Sequence, residues 1–234
     1  MGLRVLLVLP AWNEATNLPL LLTELRQLYP SYSVLVVDDG SLDATADVSR
    51  EYGAAVVSLP VNLGIGAAVQ TGFLFAQRYD YDIVVRLDSD GQHPPEEVAR
   101  LVAALADGVD VVVGSRFLKE RSYRSSWLRR VGISWLSLLI RVLTGKWIAD
   151  CTSGFCVYRR DAVDYLAAHY PQDYPEPESL ALLIRNGFRV NEVPIRMQAR
   201  RNGTSSIRGG RTLYYMIKVS LAVLIEAFRS PTRL

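Results

Sequence analysis

Five short apolar runs, separated by segments of helical periodicity, limit what this chain can become more than any other feature. Residues 5–9, 34–37, 54–58, 82–87 and 109–113 read as strands, and 18–28, 43–52, 66–78 and 96–105 as the helices between them. Strands alternating with helices build a mainly parallel sheet covered on both faces, so the fold class is α/β. Ile83-Val84-Val85 is continuously apolar, as a strand buried on both faces requires. Ligands of such sheets bind beyond the carboxyl ends of the strands, so the polar residues that close each strand mark where function belongs.

After Gly114 the rhythm breaks. A basic, serine-rich loop leads to a helix over 131–142, and residues 155–158 form a strand before a short helix from Asp161. The proline-rich stretch 170–177 is excluded from regular helix. Residues 179–186 read as helix, 189–193 as strand and 200–210 as a polar loop, and an apolar helix over 213–228 closes the chain. There is no internal repeat and no low-complexity tract.

Leu87-Asp88-Ser89-Asp90-Gly91-Gln92-His93-Pro94 ends the fourth strand with two carboxylates one residue apart. In an extended chain residues two apart share a side, so Asp88 and Asp90 can converge on one hard divalent cation. Beside a nucleotide diphosphate, such a cation neutralises charge as that group leaves. An acidic turn capping the next helix is the plainer reading of an isolated Asp-x-Asp. His93 suits a supporting position better than a ligand's. Pro10-Ala11-Trp12-Asn13-Glu14 follows the first strand. It is either a strand-to-helix turn, with Asn13 satisfying backbone, or part of a ligand site. Val37-Asp38-Asp39-Gly40-Ser41-Leu42-Asp43 follows the second strand; Asp43 reads as an N-cap, while Asp38 and Asp39 suit a base N–H or a ribose hydroxyl. Asn62-Leu63-Gly64-Ile65-Gly66 permits close backbone approach, but it is not a dinucleotide-binding fingerprint.

Composition removes several classes. The net charge of +2 is too small for wholesale nucleic-acid binding. Basic residues gather instead in 116–130 and 196–211, each beside an apolar segment, which suits phosphate or anionic lipid. The only cysteines, Cys151 and Cys156, form no metal spacing and read as small core residues in a reducing compartment. The chain opens without a secretory leader pattern, so the cytoplasm is expected. No apolar run reaches membrane-spanning length. The segments 131–142 and 213–228 read as amphipathic docking helices or as ordinary core. Trp127 and Trp135 either lie at a lipid interface or pack.

In this order the motifs Pro-Ala-Trp-Asn-Glu, Val-Asp-Asp-Gly-Ser-x-Asp-x-Thr, Asn-x-Gly-x-Gly-Ala, Asp-x-Asp-Gly-Gln-His and Gly114-Ser115-Arg116 resemble the family 2 glycosyltransferases of the GT-A fold. Asp-x-Thr-Ser-Gly-Phe from Asp150 and Arg-x-x-Gly-x-Ser from Arg200 further resemble the dolichyl- or polyprenyl-phosphate sugar synthases. The resemblance covers nearly the whole chain and implies a Rossmann-like catalytic unit over 1–211, followed by a C-terminal amphipathic helix over 212–234. It implies that Pro10, Ala11, Asn13, Glu14, Asp38, Asp39 and Gly64 hold the donor nucleotide. Asp88, Asp90 and Gln92 would carry Mg²⁺ or Mn²⁺. Arg116, with Arg129 or Arg130, would take the phosphate of a lipid acceptor, while Arg200 and Ser205 close over the donor. Asp150 and Glu178 would orient the acceptor or act as base. Ser206 stands where relatives carry lysine, leaving Arg201, Arg208 or Arg211 to replace that cation. Tyr174-Pro175-Glu176-Pro177-Glu178 marks a subgroup whose substrates the sequence does not specify.

The expected activity is inverting transfer of a sugar from a nucleotide sugar to a polyprenyl phosphate at the cytoplasmic face of a membrane. Partners would be the membrane surface or a small membrane protein, a second copy of the chain, and no nucleic acid. A family 2 enzyme extending a polysaccharide hydroxyl would need Glu176, Glu178 or Asp150 as base. A non-catalytic nucleotide-sugar binder regulating a membrane partner rests only on Ser206. A nucleotidyltransferase would need a glycine-rich basic first loop, which 10–15 lacks.

Overall fold

A computed structural model describes residues 2–106, 108–118, 127–173, 175–198 and 211–228. In chain order the elements are β1 (Val5–Ala11), α1 (Leu18–Leu28), β2 (Ser33–Asp38), α2 (Thr45–Glu51), β3 (Ala55–Ser58), α3 (Ile65–Arg78), β4 (Ile83–Arg86), α4 (Glu97–Ala103), β5 (Val111–Ser115), α5 (Trp127–Thr144), β6 (Cys156–Arg159), α6 (Arg160–His169), α7 (Pro175–Arg185), β7 (Val190–Pro194) and α8 (Arg211–Phe228). The described strands form one seven-stranded sheet in the order β3-β2-β1-β4-β6-β5-β7.

Side-chain alternation in β1 divides the core. Val5, Leu7 and Leu9 face one apolar cluster with Leu18, Leu22 and Leu25 of α1 and Val98 and Leu101 of α4. Leu6 and Val8 face the other, with Phe73 of α3, Val163 of α6 and Leu180 of α7. Both faces are covered, which is why the strand reads as an unbroken apolar run. At Gly72 a Cβ would stand 2.4 Å from Val8 Cγ1, so glycine lets α3 lie close against β1. Val219 and Val223 of α8 are buried within the second cluster, so one face of the terminal helix belongs to the core.

One feature refines the mainly parallel sheet read from the sequence, and a second departs from the sequence reading. First, β6 runs antiparallel to both β4 and β5, while the other pairings are parallel. The cause lies in the segment 145–155. Lys146 Nζ donates to the carbonyl of Val190 at the start of β7, and the Ala149 and Asp150 N–H groups reach Glu192 at 2.7 and 2.9 Å. The segment therefore climbs along β7 towards the strand ends before β6 descends. Second, the proline-rich stretch is not wholly irregular: α7 begins at Pro175 and includes Pro177. Both prolines fall in the first turn, where backbone N–H groups have no intrahelical acceptor to lose. Glu176 and Glu178 there also suit the helix dipole.

Both cysteines are buried core residues, and burial pushes each thiol up to about 12. A neutral thiol is a poor nucleophile. The folded protein is expected not to react with Ellman's reagent at pH 8, and both thiols to react once guanidinium unfolds it.

Candidate active site

The chain runs outward from β1 through β2 to β3, then crosses back to place β4 on the other side of β1. A crevice opens at such a reversal, beyond the strands' carboxyl ends. Three loops meet there and are tied to one another. Asp39 N–H donates to the Ala11 carbonyl at 2.8 Å, and Ser89 Oγ donates to the Pro10 carbonyl at 2.9 Å.

On the β2 side Asp38 and Asp39 are buried. Asp38 Oδ1 accepts the Ser41 N–H at 3.0 Å. The two oxygens of Asp39 accept the N–H groups of Leu63 and Gly64 at 2.8 and 2.9 Å, fastening the loop that opens α3. Gly40 has φ +64°, and a Cβ there would meet the backbone of Val61 at 2.4 Å, so only glycine fits the turn. Asn13, at φ 55°, accepts the Leu42 N–H at 2.8 Å and donates its own N–H to Ser41 Oγ at 2.9 Å. Glu14 Oε2 accepts from Asn17 Nδ2 at 2.5 Å. Asp43 caps α2 from one residue earlier than a standard N-cap: its carboxylate accepts the Thr45 N–H at 3.0 Å and also the Thr45 hydroxyl. Much of this motif's polarity thus shapes the loops that the expected nucleoside pocket is made of.

On the β4 side Asp90 is buried and Asp88 is partly exposed. Asp90 Oδ1 accepts the Gln92 N–H at 3.0 Å across a turn in which Gly91 has φ 74°. The Gln92 carbonyl accepts the Gln198 N–H at 3.0 Å. His93 is buried, and its Nδ1 accepts the Asp88 N–H at 2.9 Å. A backbone N–H can only donate, so the neutral ring carries its proton on Nε2, which lies 3.9 Å from Asp88 Oδ2. Burial holds the His93 pKa below the usual histidine range, outweighing Asp88 and Asp90. The ring stacks on Phe155 with centroids 4.9 Å apart, so His93 supports Asp88 from behind, as the sequence suggested. Gly154 lies against the other side, where a Cβ would come within 2.8 Å of Asp88 Oδ1.

These donors fit Mg²⁺ or Mn²⁺. They are hard oxygens, two carboxylates and one carboxamide. A cation held by one or two carboxylates, and otherwise by phosphate and water, is the usual case for Mg²⁺.

Two buried arginines were not given these partners by the sequence. Arg116 is expected to hold an acceptor phosphate. Its Nε and Nη2 donate to Asp150 Oδ2 and Oδ1 at 2.7 and 2.6 Å, its backbone N–H reaches the same carboxylate at 2.9 Å, and Nη2 also reaches Thr152 Oγ1 at 2.8 Å. Asp150 is wholly buried and is the counterion of Arg116. Beneath it, burial raises the pKa of Glu192, whose oxygens accept the Ala149 and Asp150 N–H groups.

Arg86, the last residue of β4, is the second. Its Nη2 stands 2.6 Å from Glu176 Oε1 and 3.9 Å from Asp88 Oδ1, and its Nη1 donates to the Tyr170 hydroxyl at 3.0 Å. Burial disfavours the charge, but Tyr170, Glu176 and Asp88 outweigh it and hold the guanidinium well above its ordinary pKa. An arginine ending an apolar strand run is the sequence signal that this network left visible. Of the two α7 acids it is Glu176 that meets β4; Glu178, two residues on, is partly buried in the same turn. Arg129 and Arg130 are exposed near the start of α5. Arg200 and Ser205 lie outside the described residues.

Residues 6–166 match the profile of glycosyl transferase family 2. The chain is 35% identical over 227 residues to polyprenol monophosphomannose synthase of Mycolicibacterium smegmatis, covering 93% of this chain and 86% of that protein. It is 35% identical over 217 residues to undecaprenyl-phosphate mannosyltransferase of Micrococcus luteus, covering 89% of each. Among solved structures, glucosyl-3-phosphoglycerate synthase from Mycobacterium tuberculosis in complex with Mn²⁺ and UDP-glucose superposes with a TM-score of 0.70 at 25% identity, over 97% of this chain and 79% of that one.

Removing one partner of a buried ion pair strands the other charge, at about 3–5 kcal/mol. Arg116→Ala is expected to lower unfolding free energy by about that much in urea titration. Arg116→Met combined with Asp150→Leu should cost clearly less.

Proposed function

The chain belongs to glycosyl transferase family 2, and we propose that it moves a sugar from a nucleotide diphosphate sugar to the phosphate of a polyprenyl lipid, inverting the anomeric carbon. The observation that carries this is the engagement of two acids a hydroxyl acceptor would call upon. Asp150 is tied to Arg116 and Glu176 to Arg86, each at 2.6 Å. A carboxylate neutralised in this way is poorly placed to remove a proton from a hydroxyl. A phosphate monoester, with a second pKa of about 6, arrives already anionic and needs positioning more than deprotonation. The two mannosyl-transferring relatives are named for polyprenyl phosphates, which supports the same acceptor class.

In this reading Asp88 and Asp90, with Gln92, hold Mg²⁺ or Mn²⁺. The cation supplies neutralising charge to the departing diphosphate. Pro10, Ala11, Asn13, Glu14, Asp38, Asp39 and Gly64 frame the nucleoside side of the crevice. Arg116, with Arg129 or Arg130, would take the acceptor phosphate. Arg200 and Ser205 would close over the donor. Direct attack of the phosphate oxygen on the anomeric carbon breaks the bond to the diphosphate and inverts configuration, with no proton to relay.

The lipid acceptor places the enzyme at a membrane surface. Among the described residues no helix is long and apolar enough to cross one. Instead, α5 exposes Trp127, Val131, Trp135, Leu138 and Val142, and α8 exposes Ile217, Leu221, Leu224 and Ile225. On each helix this spacing makes one stripe. Gly132 lies beside Met216, and Trp135 Nε1 donates to Ser220 Oγ at 3.0 Å, so the helices run side by side in the same direction. An apolar face this broad, with Arg129, Arg130 and Arg141 exposed on α5, suits an anionic bilayer.

Incubated with Mn²⁺, radiolabelled nucleotide sugars and undecaprenyl phosphate, the protein is expected to yield a labelled glycolipid, with kcat falling at least about 100-fold for Asp88→Ala or Asp90→Ala. Transfer only to sugar hydroxyls would refute the acceptor. The protein should also float with vesicles containing phosphatidylglycerol. Trp127→Ser with Trp135→Ser should leave it at the bottom of the gradient, and flotation unchanged by those substitutions would reject this face.

A further inference from the structure

The buried pair of Arg116 and Asp150 stands on a third group, the carboxylate of Glu192. This residue lies on β7 opposite Val113 of β5, just below the strand end that carries Arg116. Its two oxygens accept the N–H groups of Ala149 and Asp150 at 2.7 and 2.9 Å, across 43 and 42 residues of chain. A backbone N–H can only donate, so both oxygens are needed as acceptors. Asp150 in turn takes Nε and Nη2 of Arg116 on its own two oxygens. A guanidinium is a planar fork of N–H donors, so gripping one edge fixes the direction of the whole plane. The far end of the turn has a separate tether, because Ser153 Oγ donates to the Gly114 carbonyl at 2.6 Å. Loosening the Glu192 end would therefore shift Asp150 more than Gly154.

We infer that Glu192 is a positioning residue for the acceptor: by holding the 149–150 backbone it sets Asp150, and through Asp150 the face that Arg116 turns to the phosphate. The inference rests on the reading of Arg116 as a contact to the acceptor phosphate. Charge alone does not account for this residue. Burial raises the Glu192 pKa and Asp150 adds to the rise, against the two N–H groups that lower it. A second negative charge beneath a group that is to bind an anion is adverse in itself. What Glu192 contributes is geometry: two acceptors at the spacing of two consecutive backbone N–H groups. A glutamine there offers one acceptor and one donor, and an aspartate keeps the charge but falls one methylene short.

The test measures initial rates with Mn²⁺, the nucleotide sugar that wild type accepts, and farnesyl phosphate as a short acceptor that needs no membrane. Wild type is compared with Glu192→Gln, Glu192→Asp and Arg116→Lys. Both Glu192 variants are expected to raise KM for farnesyl phosphate about 10-fold, within the roughly 100-fold that a misplacement of about 1 Å can cost, while KM for the nucleotide sugar stays within about twofold. A role through charge reads differently. Glu192→Gln, by removing a negative charge, would then lower the acceptor KM, and Glu192→Asp would leave it unchanged. Either result overturns the inference. So does a fall in kcat with both KM values unmoved, which is the mark of a structural role that reduces only the folded fraction. If Glu192→Gln does not fold, Glu192→Asp decides by the same acceptor KM. Arg116→Lys keeps a positive charge beside Asp150 but loses the fork, and it should raise the acceptor KM as well. An unchanged acceptor KM in Arg116→Lys, or no transfer to farnesyl phosphate by wild type, would remove the reading on which the inference stands, and the inference with it.

Discussion

Two guanidinium groups buried where the sheet opens must each find a carboxylate, and the site is organised around that need. A buried charge without a partner costs several kcal/mol, more than one ordinary contact can repay. Arg86 therefore draws the first turn of α7 to the end of β4, and Arg116 draws Asp150 to the end of β5. Neither pairing is local: the partners lie 90 and 34 residues apart in the chain. Each closes a long loop against an entropy that grows only slowly with its length. The pairs do little for net stability compared with an apolar core. What they add is registry, because a displaced α7 or a slipped 150–154 turn would leave a charge unpaired.

The same need explains the topology. To deliver Asp150, Thr152 and Gly154 to the strand ends, the chain must rise along β7 after α5, and the next strand can only descend. An antiparallel β6 between two strands of the opposite direction is the consequence. Its first residues face the last of β4, with Cys156 opposite Arg86, so the turn that carries Gly154 is held against Asp88.

The elements of the first half were legible because their signals are local. An unbroken apolar run such as 83–85 marks a strand covered on both faces, and the period of 18–28 matches α1 residue for residue. The aspartate pair was legible for the same reason, being set by the end of one strand. What could not be read depends on distant partners. The direction of β6 follows from where the preceding segment has to go. The prolines of 175 and 177 argue against helix only in an interior, and nothing nearby announces that they open one. The pairing of Arg116 was hidden because the sequence does not show Asp150 folding onto it, and Arg86 drew no attention because its partner lies 90 residues on.

Helix α5 stands between the two environments the proposed reaction must join. Ser137 Oγ lies 3.7 Å from Cys151 Sγ, the residue after Asp150, so one face of α5 borders the turn that carries the buried pair. The opposite face carries Trp127, Val131, Trp135, Leu138 and Val142. A helix with its side chains is about 10–12 Å across. If a bilayer covers that stripe, a lipid phosphate at its surface needs to travel only about one helix diameter to reach the crevice. An acceptor anchored by its tail would then arrive with part of its orientation already set, which lowers the entropy the remaining arginines have to supply. That economy is available to a phosphate headgroup, which needs no base at its destination. It would serve a sugar hydroxyl less well, because Asp150 and Glu176 are already paired with buried arginines.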